Sequence, residues 1–186
     1  MDNYTQDPLK PFLERFSQLK SNELKIESLG YKTQINLRLP ESQISAIEIE
    51  LDVIFPRSIN LFTLNKDYQI LCLGPDEWLF ISDLNNKDNL INNMNKIRFD
   101  DFVSISDVSF NRNFIEISGE KLLDLITSLS SFPIKDFKSG ECVQTEISKI
   151  QVILMCIETD YKYNILVRSS FSRFLSEVII DQVRLL

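Results

Sequence analysis

Over residues 33–39 the apolar Ile35, Leu37 and Leu39 alternate with polar neighbours, the period of two that marks a half-buried strand. The same reading continues over residues 44–54, where Ile47, Ile49, Leu51 and Val53 alternate between Pro40 and Pro56 and predict a second strand. Ahead of both, Leu9, Phe12, Leu13, Phe16 and Leu19 recur at helical spacing, which predicts a short amphipathic helix over residues 8–19 despite Pro11. With the rest of residues 1–20, this helix reads as an appendage to the core.

From Gln69 onward one unit recurs: two apolar strands joined by a turn and followed by an amphipathic helix. The first copy joins residues 69–73 to 77–82 through Gly74-Pro75-Asp76, where proline presets a turn dihedral, and runs into a helix with Leu90, Ile91, Met94 and Ile97 on one stripe. The second pairs residues 102–108 with 112–118, after which Ser118 caps a helix carrying Leu122, Leu123, Leu125, Ile126 and Leu129, ended by Pro133. The third pairs residues 149–157 with 162–168, and Ser169 or Ser170 caps a helix whose Phe171, Phe174, Leu175, Val178 and Ile179 share a face. Duplicated strand-strand-helix units predict an α+β fold with mainly antiparallel sheet. No Ser/Gly-rich linker divides them, so residues 1–186 read as one compact domain.

Two of these strands depart from simple alternation. Trp78 and Phe80 point to one face of a sheet and Leu79 and Ile81 to the other, so both faces are apolar. Val152, Leu154 and Cys156 stand likewise against Ile153, Met155 and Ile157. An antiparallel sheet with one wet face alternates with polar residues, so something must cover both faces here: the chain's own helices and second sheet, or a partner.

Composition narrows the chemistry mainly through what it lacks. The chain has no histidine, which removes the usual general base near neutral pH and the commonest metal ligand, and with them Ser-His-Asp, Cys-His and H-E-x-x-H sites. Cys72, Cys142 and Cys156 are odd in number, far apart and without a C-x-x-C pair, so they read as reduced thiols of a cytoplasmic protein. The four glycines, at 30, 74, 119 and 140, form neither G-x-G-x-x-G nor a P-loop. A formal charge of −7 with scattered Lys and Arg repels a phosphate backbone, which argues against nucleic acid as a partner. The opening Met1-Asp2-Asn3-Tyr4 has no export signal, and the longest apolar run, residues 152–157, is too short for a bilayer, so no membrane association is expected.

Polar clusters offer little more. Asp76-Glu77 and Asp100-Asp101 are the closely spaced acidic pairs near strand ends, and both fall at predicted turns, where carboxylates are solvated or bond the backbone. Ser128, Ser130 and Ser131 lack a G-x-S-x-G elbow and read as the end of a helix. No residue is assigned a catalytic, cofactor-binding or metal-binding role.

The order of short motifs is more specific than any one of them. Leu73-Gly74-Pro75-Asp76-Glu77-Trp78-Leu79 resembles the "LGPDEWL" signature of the gamma subunit family of heterotetrameric sarcosine oxidase. Asp107, Ser109 and Arg112 are similar to that family's D-x-S-x-x-R strand turn, and Ser118-Gly119 to the S-G that opens its helix. Gly140, Cys142 and Thr145 resemble its G-x-C-x-x-T segment, and Arg168-Ser169 with Phe171 its R-S-F element, allowing one extra Ser. The resemblance covers about residues 70–180; Phe110 departs from it, standing where members often carry His, and residues 132–137 follow the family only loosely.

This resemblance implies a small, non-catalytic structural subunit of a cytoplasmic enzyme that oxidatively demethylates sarcosine to glycine, partnered by alpha, beta and delta subunits. FAD, FMN, NAD and tetrahydrofolate are then held by those partners and none by this chain. The implied fold is similar to folate-binding aminomethyltransferase-type domains, which also sets the rival reading, a free-standing folate-binding or folate-dependent protein. Within this frame Trp78 and Phe80 are expected to form a buried anchor, internal or against the large subunit. Arg112 and Arg168, at strand ends, are expected to pair with carboxylates, Asp107 among them.

Overall fold

The computed structural model describes residues 7–19 and 23–186; the opening residues 1–4, read above for an export signal, lie outside the described residues. The chain divides into two compact units, Met1–Tyr31 with Phe110–Leu186, and Lys32–Ser109, where the sequence suggests one compact body. Each unit carries one five-stranded sheet and its own cluster of buried side chains. The strand pairings are antiparallel, and the fold class is α+β as expected.

In the Lys32–Ser109 unit the strands are β2 (Thr33–Arg38), β3 (Phe62–Leu64), β4 (Tyr68–Gly74), β5 (Glu77–Ser82) and β6 (Ser104–Asp107), ordered β3-β4-β5-β2-β6. Pro75 and Asp76 close the tight β4–β5 turn. A proline φ near −65° does not give the primed turns that match strand twist, and the ladder slips by one residue between Cys72 and Gly74 to accommodate it. On one face Ile35, Leu37, Ile70, Cys72, Trp78 and Phe80 join Ile44 and Ile47 of helix α2 (Ile44–Leu51) and Met94 of helix α3 (Lys87–Lys96).

Helix α2 replaces the strand expected over residues 44–54. Ile44 and Ile47 are buried and Leu51 packs against them, spacings of three and four residues that follow the helical period. Ile49, which the alternating pattern turns inward, is 83% exposed. The run Ile44, Ile47, Ile49, Leu51 fits both periods over so short a span, and the 3-10 turn Glu41–Gln43 after Pro40 starts the helix.

The other unit holds β1 (Lys25–Gly30), β7 (Arg112–Ser118), β8 (Cys142–Ile147), β9 (Ile150–Glu158) and β10 (Lys162–Arg168), ordered β1-β7-β10-β9-β8. Helices α1 (Leu13–Gln18), α4 (Leu122–Leu129) and α5 (Ser169–Val183) contribute to a core on one sheet face with Ile115, Ile117, Leu154, Tyr163 and Ile165. Leu9, Phe12 and Phe16 are buried in that core, so the N-terminal helical segment belongs to it and is not an appendage.

The second strand-strand-helix copy is not a hairpin: β6 pairs with β2 in one sheet, while β7 lies between β1 and β10 in the other. The expected serine caps are also absent. Lys121 and Arg168 are the N-cap residues of α4 and α5, neither with a side-chain cap bond, and Ser169 instead donates its hydroxyl to the Phe110 carbonyl at 2.8 Å. On α5 the inward stripe is Ser172, Leu175, Ser176, Ile179 and Ile180. Phe171 and Phe174, read from the sequence as sharing a face with Leu175 and Ile179, are 49% and 58% exposed.

Gly119 occupies a position that no other residue fits. Its φ is +127°, and a methyl group on it would overlap the Glu23 carbonyl oxygen and lie 2.8 Å from the carbonyl carbon. The Lys121 amide donates to that same carbonyl at 3.1 Å, so the close approach helps to set the start of α4. Gly119→Ala is expected to destabilise the chain by about 3 kcal/mol, read as a fall in the midpoint of chemical denaturation. Gly140→Ala, with φ +90° but open space around the added methyl group, is expected to cost less.

Candidate functional site

The residues singled out by sequence fall in separate places. Trp78 and Phe80 are each 2% exposed within the Lys32–Ser109 unit. The Trp78 indole Nε1 donates to the Pro56 carbonyl at 3.0 Å, and its ring meets Phe55 edge-on at 6.1 Å. Phe80 stacks against Tyr68 at 5.5 Å. Both aromatic groups are thus internal to this chain, with the indole N–H satisfied by backbone.

Asp107 ends β6, and its carboxylate closes a local turn: Oδ1 accepts from the Ser109 amide at 2.9 Å and from the Ser109 hydroxyl, and Oδ2 accepts from Lys87 Nζ at 3.2 Å. The Ser109 hydroxyl in turn accepts the Gln34 amide at 3.1 Å, and the Gln34 side-chain Nε2 donates to the Ser109 carbonyl. The D-x-S spacing therefore works as a turn that fastens the chain after β6 onto β2. Burial pushes the Asp107 carboxyl up, but the bonds from Ser109 and Lys87 more than offset it and leave it below the usual carboxylate range. Its basic partner is Lys87, where the sequence suggested an arginine.

Arg112 begins β7 and Arg168 ends β10, and the antiparallel register sets them directly opposite each other. Directly opposed residues project from the same sheet face. Continuing the β9–β10 register from Val167 opposite Val152 places Gln151 beside Arg168, and Gln151 in turn stands opposite Glu146 on β8. The two arginines, Gln144, Thr145, Glu146 and Gln151 line an open cleft of about 280 Å³. The cleft was not foreseen: Gln144 and Gln151 lie in a β8–β9 hairpin whose turn, Ser148-Lys149, has φ values of +50° and +66° without the Asn-Gly or Asp-Gly that announces such a turn.

The polar clusters weighed in the sequence have structural partners. Arg38 reaches both Asp76 at 3.5 Å and Glu77 at 2.7 Å, and Glu77 also accepts from the Asn36 amide group. Asp101 accepts the Phe102 amide. The Ser128 hydroxyl donates to the Leu125 carbonyl and the Ser130 hydroxyl to the Glu146 carbonyl. The three cysteines are buried and outside any disulfide, and burial pushes the Cys156 thiol up to about 11 and raises that of Cys72. Among the described residues no cluster of His, Cys, Asp and Glu has the makings of a metal site, and no helix is long and apolar enough to cross a membrane.

No protein-family profile and no curated protein sequence matches this chain. Solved structures do. A chain of the heterotetrameric sarcosine oxidase from Corynebacterium sp. U-96, in complex with pyrrole 2-carboxylate, superposes with a TM-score of 0.87 over 96% of this chain and 94% of that one, at 18% sequence identity. The glycine cleavage system aminomethyltransferase T from Bartonella henselae superposes with a TM-score of 0.64 at 10% identity over 90% of this chain, which spans 48% of that enzyme's length. The fold is shared with both.

Two outcomes follow from this chemistry. Asp107→Asn is expected to cost about 1 kcal/mol at pH 7, a modest figure because the side chain is 35% exposed and partly screened. Because the folded carboxyl titrates below its unfolded value near 3.9, that cost should be fully present above about pH 4 and should fade as pH falls through the folded value, checked by urea denaturation from pH 7 down to pH 3. The cysteines should resist iodoacetamide in the native protein at pH 8 and all react once it is unfolded, which mass spectrometry would count.

Proposed function

We propose that this chain is a non-catalytic, gamma-type subunit of a heterotetrameric sarcosine oxidase, giving shape and contact area to an assembly whose reactive groups sit on alpha, beta and delta partners. In this reading the assembly is cytoplasmic, its FAD, FMN, NAD and tetrahydrofolate are bound by the partners, and the reaction is oxidative demethylation of sarcosine to glycine. The observation that carries it is the superposition on a sarcosine oxidase chain that accounts for nearly the whole of both chains. A domain cut from a larger enzyme would leave much of its counterpart unmatched, as happens with the aminomethyltransferase.

Three features of this chain support the reading. Its sequence has no histidine to serve as a general base. Its anchoring aromatic residues are spent on its own core. Phe171 and Phe174, one turn apart on α5, leave apolar area in solvent of the kind that protein contacts cover.

The rival, a free-standing folate-binding protein, draws on the aminomethyltransferase likeness, but only half of that enzyme has a counterpart here. Co-purification from the native host separates the readings. The chain is expected to elute with a large flavoprotein, a second flavoprotein and a small fourth chain, with sarcosine-dependent oxygen uptake in that fraction. Elution as a monomer beside a complete oxidase that lacks it would refute the proposal, and tight calorimetric binding of tetrahydrofolate by the isolated chain would favour the rival.

A further inference from the structure

A second cleft, of about 290 Å³, lies within the Lys32–Ser109 unit, where Glu50 and Leu51 of α2 and Asn86, Asn89 and Leu90 at the start of α3 meet the sheet. It has no part in the assembly proposed above. Register sets its floor. Tyr68 stands directly opposite Ser82, and Phe80, two residues before Ser82, projects from the same sheet face. Tyr68 and Phe80, whose ring centroids are 5.5 Å apart, pack into the core beneath α2 and α3, so Ser82 faces those helices as well.

The polar groups around this floor are short of partners. Ser82 is 8% exposed, yet the contact from its hydroxyl to the Asp83 carbonyl is 3.5 Å long, beyond the range of about 2.5–3.0 Å for a hydroxyl hydrogen bond. A buried hydroxyl held this loosely is unfavourable until another group bonds it. Among the described residues, no bond engages the carboxylates of Glu50 and Asp67 or the side-chain amides of Asn86 and Asn89, all of which line the cleft. Asn86 is the N-cap residue of α3 but makes no side-chain capping bond, so its amide is open to the cleft instead of being spent on the helix. No Lys or Arg lines this cleft, and its two charged members are both acidic.

An ammonium group fits this set. It has three N–H donors and no acceptor, and the Ser82 oxygen with the Glu50 and Asp67 carboxylates supplies acceptors only for such donors. Glu50 also sits in the last turn of α2, the negative end of a helix dipole, which favours a cation. Leu51, Val53, Leu90 and the Tyr68 ring give the rest of the lining apolar area for a carbon skeleton. We propose that this cleft binds a small organic amine in its ammonium form, the cation held by Ser82, Glu50 and Asp67 and the carbon skeleton against Tyr68 and Leu51. The amides of Asn86 and Asn89 are then available to a further polar group of the ligand.

The test uses the full chain at pH 7, with ionic strength fixed by sodium chloride. Calorimetric titration is recorded with phenethylamine in one arm and isobutylamine in the other; the tighter of the two shows whether the floor prefers an aromatic or an aliphatic substituent. Phenylethanol, of similar shape but without the charge, should bind about tenfold more weakly than phenethylamine. Glu50→Gln and Asp67→Asn should each weaken amine binding about threefold, as expected for exposed charge pairs. Ser82→Ala should weaken it about fivefold through the lost buried acceptor. Circular dichroism confirms that each variant is folded, and the side-chain amide resonances of Asn86 and Asn89 should shift as either amine is added. The proposal is overturned if neither amine gives a saturable response, if phenylethanol binds as tightly as phenethylamine, or if Ser82→Ala and the double variant Glu50→Gln with Asp67→Asn both bind as tightly as the unaltered protein.

Discussion

Everything in this molecule depends on water being excluded from both faces of its sheets. In the Lys32–Ser109 unit, Trp78 and Phe80 enter the cluster beneath α2 and α3, while Leu79 and Ile81 on the opposite face are 0% and 3% exposed. In the other unit, Leu154 and Cys156 face α4 and α5, and Ile153 and Met155 on the reverse are 3% and 0% exposed. No second protein contributes to this burial. At roughly 25 cal/mol per Å² of apolar surface, two-sided burial of such strands is the largest favourable contribution to folding. The covering of both faces, posed by the sequence as a choice between the chain itself and a partner, is supplied by the chain.

That outcome moves the functional question to the surface. Trp78 and Phe80, expected as a buried anchor either internal or against a large subunit, are part of the interior. Among the groups left outside are apolar side chains such as Phe171 and Phe174 on α5 and the polar row of the cleft lined by Arg112, Arg168 and Glu146. The thiols are buried and the sequence has no histidine.

Legibility in the sequence followed the strength of local signals. β2, the β4–β5 hairpin at Gly74-Pro75-Asp76, the β9–β10 pair and helices α3, α4 and α5 all stood out because period and punctuation agreed. α2 was misread because its isoleucines satisfy two periods at once and β-branched residues favour strands. The pairing of β6 and β7 failed for a different reason: adjacent strands usually pair, and here the chain leaves one sheet for the other after Ser109. The Arg112–Arg168 row could not be read at all, since it depends on a register linking residues far apart in sequence, and neither residue announces the other. Lys87 was missed as the partner of Asp107 for the same reason.

The central claim is that this chain completes its own core and leaves only its surface for others. Native-state amide hydrogen exchange on the isolated chain tests it most directly. The amides of β5, β9 and β10 should exchange last, and only through global unfolding, with no partner protein added. If those strands exchange as quickly as the loops until an oxidase subunit is supplied, then the core is not self-sufficient and the account fails.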